Sequence, residues 1–172
     1  MLIFSKIRFK NLLSFGNMWT TIDFEDKSSV LIQGSNGSGK SAAILDSLTF
    51  ALYGKPFRKI TKHNLVNNKN KKELVVEVWF TNDKGEQYHI IRGLNPLVFE
   101  IYHGETLINQ DSRMIDYQDY LENQILKMSF QMFTQIVVLG KATYVAFLRL
   151  KLNERREFIE YILNLTIFGT MN

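Results

Sequence analysis

One stretch of eight residues carries the clearest chemistry in the chain. Gly34-Ser35-Asn36-Gly37-Ser38-Gly39-Lys40-Ser41 satisfies the pattern G-x-x-x-x-G-K-[ST] at every position. Glycines at this spacing let main-chain N–H groups converge on phosphate oxygens, and a helix starting behind the loop adds the positive end of its dipole. The ammonium of Lys40 would reach the β and γ phosphates, and the hydroxyl of Ser41 would hold Mg²⁺. The loop therefore predicts ATP and Mg²⁺ as cofactors, with Lys40 acting on the reacting phosphate. A second pattern overlaps it, because Gly37-Ser38-Gly39-Lys40-Ser41-Ala42 also fits the dinucleotide motif G-x-G-x-x-G/A. That motif needs an acidic residue about 20 positions further on for a ribose hydroxyl. Phe57-Arg58-Lys59-Ile60-Thr61-Lys62 contains none, so a dinucleotide oxidoreductase is set aside.

A hydrolysing loop of this type also needs an aspartate at the end of a second buried strand to organise the metal. No such strand is visible. Leu74-Val75-Val76-Glu77 comes nearest, but Glu77 sits inside an alternating strand with no second acid behind it, and it reads as a residue on a strand face. Three readings follow: the acidic half lies elsewhere in a longer protein, the chain is a self-contained kinase of a small metabolite, or it is an interaction module with a degenerate loop.

The loop needs a strand before it and a helix after it. Val30-Leu31-Ile32 is a short buried-type run, and Ser41 to Tyr53 sets Ile44, Leu45, Leu48 and Leu52 on one helical stripe that stops at Gly54 and Pro56. Leu2 to Phe9 and Trp19 to Phe24 read as earlier strands. Glu73 to Phe80 and Tyr88 to Arg92 flank the turn residues Asn82-Asp83-Lys84-Gly85, and Val98 to Tyr102 pairs with Thr106 to Ile108, which predicts an antiparallel meander. Met114, Tyr117, Leu121, Ile125 and Met128 recur at helical spacing and read as core. The apolar run Ile136 to Gly140 follows, and Asn153 is expected to cap a last helix carrying Phe158, Ile159, Ile162 and Leu163. An α/β domain is the expected class.

The chain has no cysteine, and its three histidines, His63, His89 and His103, are scattered, so disulfides and cysteine-based zinc sites are excluded. Charge interrupts the N-terminus before a signal-type apolar segment can form, and no apolar run reaches the roughly 18 residues of a membrane span. A cytoplasmic setting is expected, that of the host if the protein is viral. The net charge of +4 is modest but uneven. Lys55, Arg58, Lys59, Lys62, Lys69, Lys71 and Lys72 fall in one stretch without an acid, and Arg149, Lys151, Arg155 and Arg156 form a second cluster, each a candidate polyanion surface.

Several segments together resemble a known family. Asn36 and Gly37 inside the loop are the variant typical of SMC-like ABC ATPases. Ile7 to Phe15 resembles that family's first strand and turn, Leu52 to Arg58 the end of its first helix, and Phe133 to Gly140 its glutamine loop. Together they are similar to the ATPases of the double-strand-break repair exonuclease complex, of the SbcC type, and within it to the large subunits of phage recombination endonucleases. The resemblance implies a P-loop fold of ABC type, with residues 1–165 as the N-terminal lobe of the ATPase head and 166–172 as the start of a coiled coil. It implies that Gly34 to Ser41 and Ala42 contact the nucleotide, that Ser41 and Gln135 coordinate Mg²⁺, that Gln135 joins Lys40 in catalysis, and that Asn11 and Ser14 lie near the nucleotide. Ala42 replaces a second hydroxyl common in the family, and Leu13 stands where related heads often carry Arg. The implied partners are the C-terminal half of the same head, a second head in a homodimer, a nuclease subunit and duplex DNA bound without regard to sequence. ATP-driven dimerisation of heads would then regulate the nuclease, while this half alone would be inactive.

Overall fold

The computed structural model describes residues 2–27, 29–108 and 114–138, and beyond these 151–153, 155, 156 and 159. The chain divides into two units, Met1–Met128 and Ser129–Asn172.

The first unit is built on an antiparallel sheet of six strands, β1 (Ile3–Lys10), β2 (Thr20–Asp23), β3 (Leu74–Thr81), β4 (Gln87–Leu94), β5 (Val98–His103) and β6 (Thr106–Leu107), in the order β2-β1-β3-β4-β5-β6. Alternation along each strand decides its faces. Pairing aligns Ile7, Val78, Ile90 and Ile101 in one row and Phe9, Val76, Arg92 and Phe99 in the next, and all eight side chains are buried. Each buried aliphatic or aromatic side chain contributes roughly 1.5–3 kcal/mol.

The opposite face is polar and aromatic. Trp79 stacks on His89 with ring centroids 4.1 Å apart, and the ammonium of Lys6 sits 4.1 Å from the centre of the Trp79 ring. Glu77 does lie on this strand face, where it accepts hydrogen bonds from Arg8 at 2.7 Å and meets His89 at 3.2 Å. Burial alone would raise its carboxyl pKa, but the bonds from His89 and Arg8 outweigh that and hold it below the ordinary range.

Helix α1 (Ser47–Tyr53) lies against β1, β3 and β4, and a π-helical run, Ala42–Asp46, joins it to the glycine-rich loop. Every residue of α1 is buried, more than the one apolar stripe expected, because a second π-helical run, Leu121–Leu126, also packs on it. Gly54 ends the helix at φ 65°, where its N–H bonds to the Phe50 carbonyl at 2.9 Å; only glycine adopts that left-handed conformation freely. Helix α2 (Met114–Tyr120) is fastened by Tyr117, whose hydroxyl accepts a hydrogen bond from the Ile101 N–H at 2.8 Å.

One expected strand is not formed. Residues 29–35 pair with no strand among the described residues, and Leu31 is 79% exposed. A buried-type strand needs neighbours on both sides, and the six strands of this sheet provide none beside it. In the second unit, helix α3 (Phe130–Ile136) is capped by Ser129, whose side chain accepts from the Met132 N–H at 3.3 Å. The apolar run therefore begins as the end of a helix, with Leu139 and Gly140 outside the described residues. Asn153 lies within a helical turn with Leu152 rather than capping one, and Phe158, Ile162, Leu163 and residues 166–172 are also outside the described residues.

Candidate nucleotide-binding site

The glycine-rich loop encloses an open cavity of about 480 Å³, lined by Leu13, Ser14, Asn36, Gly37, Ser38, Gly39, Lys40, Ser41, Ala42 and Arg58. Gly37 and Gly39 take φ values of 79° and 89°, conformations that side-chain-bearing residues rarely adopt. Gly39 is needed for space as well. A Cβ there would lie 2.9 Å from the Ser14 hydroxyl and 3.0 Å from the Phe15 ring. The loop thus turns under the β1–β2 connection and then enters the helical run through Lys40. The ammonium of Lys40 donates to the carbonyls of Gly34 at 2.6 Å and Ser35 at 2.7 Å, so it stands over the loop's own main chain.

The β1–β2 connection is held by asparagines. Asn11, 1% exposed, donates to the Asn17 side chain and the Glu73 carbonyl, and accepts from Asn70 at 2.6 Å. Asn67 donates to the carbonyls of Leu13 at 2.7 Å and Phe15 at 3.1 Å. Asn11 therefore does not line the cavity; its amide is spent fixing the turn that brings Leu13 and Ser14 there. A second cleft of about 650 Å³ shares Leu13 and Ser14 with the first and continues along Asn64, Asn67, Asn68, Lys69 and Asn70.

Charge counting along the sequence placed Arg58 with the polyanion candidates, whereas the structure places it on the cavity wall. Asp46, 1% exposed, accepts from the N–H groups of Phe57 and Arg58 and from the Arg58 guanidinium at 2.7 and 2.8 Å. The acid sits at the end of the π-helical run, so the helix that follows the loop also sets a second cation beside it. An acid interrupting the apolar stripe after the loop was the signal available in the sequence. Lys62 is partly buried, and burial followed by the nearby charge of Arg92 lowers its pKa. Lys55, Lys59, Lys69, Lys71 and Lys72 are exposed, with Lys69 on the rim of the second cleft. Gln135 is half-exposed on α3, in the second unit.

Among the described residues no group of three or more His, Cys, Asp or Glu could hold a metal ion. The Ser41 hydroxyl beside a phosphate cradle still suits Mg²⁺, which takes few protein ligands when phosphate oxygens complete its shell. Asp46 is engaged with Arg58 and is not free to join it. The donor set is one side of such a site.

The chain, whose loop lies between β2 and β3 of the antiparallel sheet and opens a helix buried against it, is matched by a family profile described as an AAA domain, over residues 6–166. The chain belongs to this family. The chain is 40% identical to "Exonuclease subunit 2" of Enterobacteria phage T4 over 168 residues, a match covering 98% of this chain and 30% of that protein. It is 29% identical to "DNA double-strand break repair Rad50 ATPase" of Methanocaldococcus jannaschii over 171 residues, covering 97% of this chain and 16% of that one. The chain thus spans less than a third of the length of these relatives. A solved chain from a study of ATP-driven dimerisation and DNA-stimulated activation of SMC ATPases shares the fold, with a TM-score of 0.60 at 22% identity, covering 93% of this chain and 99% of that one. The resemblance read from Asn36, Gly37 and the flanking segments holds, and the small-metabolite kinase is set aside by relatives of this kind. No helix among the described residues is long and apolar enough to cross a membrane.

Proposed function

We propose that the chain is the ATP-binding lobe of an SMC-like ATPase head, and that ATP-driven dimerisation of such heads regulates a partner nuclease in double-strand-break repair and recombination. One observation carries the reading: the phosphate cavity is half of a site. It has the cradle, the cations Lys40 and Arg58 and one metal-binding hydroxyl, while the apolar segment leading into it, Val30 and Leu31, is exposed and pairs with no strand among the described residues. Strands from the C-terminal half of the same head supply the missing neighbours and the acid. The Ser41 hydroxyl holds Mg²⁺ from one side, and the ion when bound neutralises charge developing on the phosphates. Lys40 and the loop N–H groups bind and orient the phosphates, and Ser14 and Leu13 close one wall. The amide-lined second cleft, continuous with the first through those two residues, receives the nucleoside end. An opposing head completes the other side of each nucleotide. The site is cytoplasmic, in a host if the protein is viral.

The complete protein, purified and given a slowly hydrolysed ATP analogue with Mg²⁺, is expected to double in mass by light scattering as its heads pair, and to return to the starting mass on exchange to ADP. An unchanged mass in both nucleotides would remove the dimerisation reading.

Exposed Lys55, Lys59, Lys71 and Lys72 are proposed to contact duplex DNA through its phosphates, without reading sequence. Reversing Lys59, Lys71 and Lys72 to Glu in the complete protein is expected to flatten the log–log salt dependence of DNA binding by about one unit for each phosphate no longer neutralised. An unaltered slope would return these lysines to ordinary solvated surface.

A further inference from the structure

The alternation of β4 puts Tyr88, Ile90, Arg92 and Leu94 on the core face. Arg92 therefore shares its row with Phe9, Val76 and Phe99, beside the row of Ile7, Val78, Ile90 and Ile101, and it is 6% exposed. A guanidinium there is costly unless hydrogen bonds and neighbouring dipoles replace its water. Its partners are at the end of helix α1. Arg92 Nε donates to the Ala51 carbonyl at 2.8 Å, and a terminal nitrogen donates to Gln118 Oε1 at 2.5 Å. Gln118, on α2, donates in turn to the Leu52 carbonyl at 3.1 Å and to Glu122 at 2.8 Å. The Phe99 ring lies 3.6 Å below the guanidinium, and a Cβ at Gly54 would come within 2.7 Å of it. Burial lowers the pKa of Arg92 to about 9, with the charge of Glu122 opposing the shift, so the group is cationic at neutral pH. A cation thus sits on the negative end of a helix whose other end opens from the glycine-rich loop.

We propose that Arg92 and Gln118 are positioning residues of the nucleotide site, clamping the far end of the helical rod that carries Lys40 and Ser41. The inference rests on the reading of that loop as an ATP site. From Lys40 to Tyr53 the rod is roughly 20 Å long. Because α1 is buried on all sides, it shifts as a unit rather than bending locally. The clamp ties three elements, β4, α1 and α2, so releasing it displaces the loop's cation and hydroxyl along the axis of the rod. Displacements of about 1 Å at a reacting site cost up to about a hundredfold.

The test is titration of the complete protein with N-methylanthraniloyl-ATP, alongside thermal melting, for Arg92→Lys, Gln118→Met and the core control Ile101→Val. Lysine keeps the charge but reaches only one of the two acceptors, and Gln118→Met leaves Arg92 in place, so either variant reads the clamp if the other fails to fold. Both are expected to weaken nucleotide binding about tenfold, while Ile101→Val stays within about twofold at a similar loss of melting temperature. Binding within twofold of the unsubstituted protein in both variants would overturn the proposal. So would a loss in the control matching theirs at equal destabilisation, since the network would then only hold the fold. Failure of the unsubstituted protein to bind, or retained binding in a Lys40→Ala control, would instead remove the ATP-site reading, and this inference with it.

Discussion

Lys40→Ala in the complete protein is expected to reduce ATP turnover at least about a hundredfold while leaving the fold intact. The two effects separate because the ammonium works in two settings of different worth. In the structure its bonds run to the Gly34 and Ser35 carbonyls, in a loop whose residues from Gly34 to Ser38 are exposed. Net hydrogen-bond contributions of this kind are about 0.5–1.5 kcal/mol each, and carbonyls left behind at the surface regain water. Opposite a phosphate in its transition state, the same group would neutralise developing charge inside a preorganised cradle, a contribution of roughly 3–4 kcal/mol for a single well-placed donor. Arg58 does not replace it, because its guanidinium is held by Asp46. Steady-state hydrolysis and circular-dichroism melting check the two halves of the claim. Turnover within a few-fold of the unsubstituted protein would mean that the loop is not the catalytic cradle.

What the sequence made legible follows from which interactions are local. The strands β1, β3, β4 and β5 show in the period-two alternation, and the turn at Asn82-Asp83-Lys84-Gly85 shows because those residue types favour turns through local hydrogen bonds. The loop is legible since its glycines answer to main-chain geometry that few other residues satisfy. Side chains whose role depends on distant partners were harder to place. In the sequence Arg58 is one charge among seven, and its place depends on Asp46, 12 residues earlier, which turns toward it. Asn11 looked like a neighbour of the nucleotide, but its hydrogen bonds run to Asn17, Asn70 and Glu73. Val30-Leu31-Ile32 has strand composition, yet composition states only what a segment would bury and not whether a neighbour exists to bury it. Arg92 was detectable in principle as a charge in phase with Tyr88, Ile90 and Leu94. Its meaning needed the end of α1 beside it.

This 172-residue chain alone is expected to hydrolyse ATP at least about a hundredfold more slowly than the same chain co-expressed with the segment proposed to complete the head. Among the described residues of the first unit the two buried acids are both engaged, Asp46 with Arg58 and the main chain of Phe57, and Glu77 with Arg8 and His89 on the far face of the sheet. Freeing Asp46 for metal or water would cost its hydrogen bonds to Arg58 and displace a cation from the cavity wall. Ser41 can therefore hold a metal from one side only, and among the described residues no acid lines the cavity to orient an attacking water. Positioning and electrostatic contributions of that kind are worth about two orders of magnitude per group. The same incompleteness has a physical signature in the isolated chain, because Val30 and Leu31 stand exposed and pair with no strand among the described residues, which favours self-association. Turnover is to be measured for the chain alone and for the co-expressed pair at matched protein and Mg²⁺ concentrations, with sedimentation recording aggregation. Comparable rates in the two preparations would show that the acid and the water-orienting group are already present in this chain, and the split-head reading would give way to a self-contained ATPase.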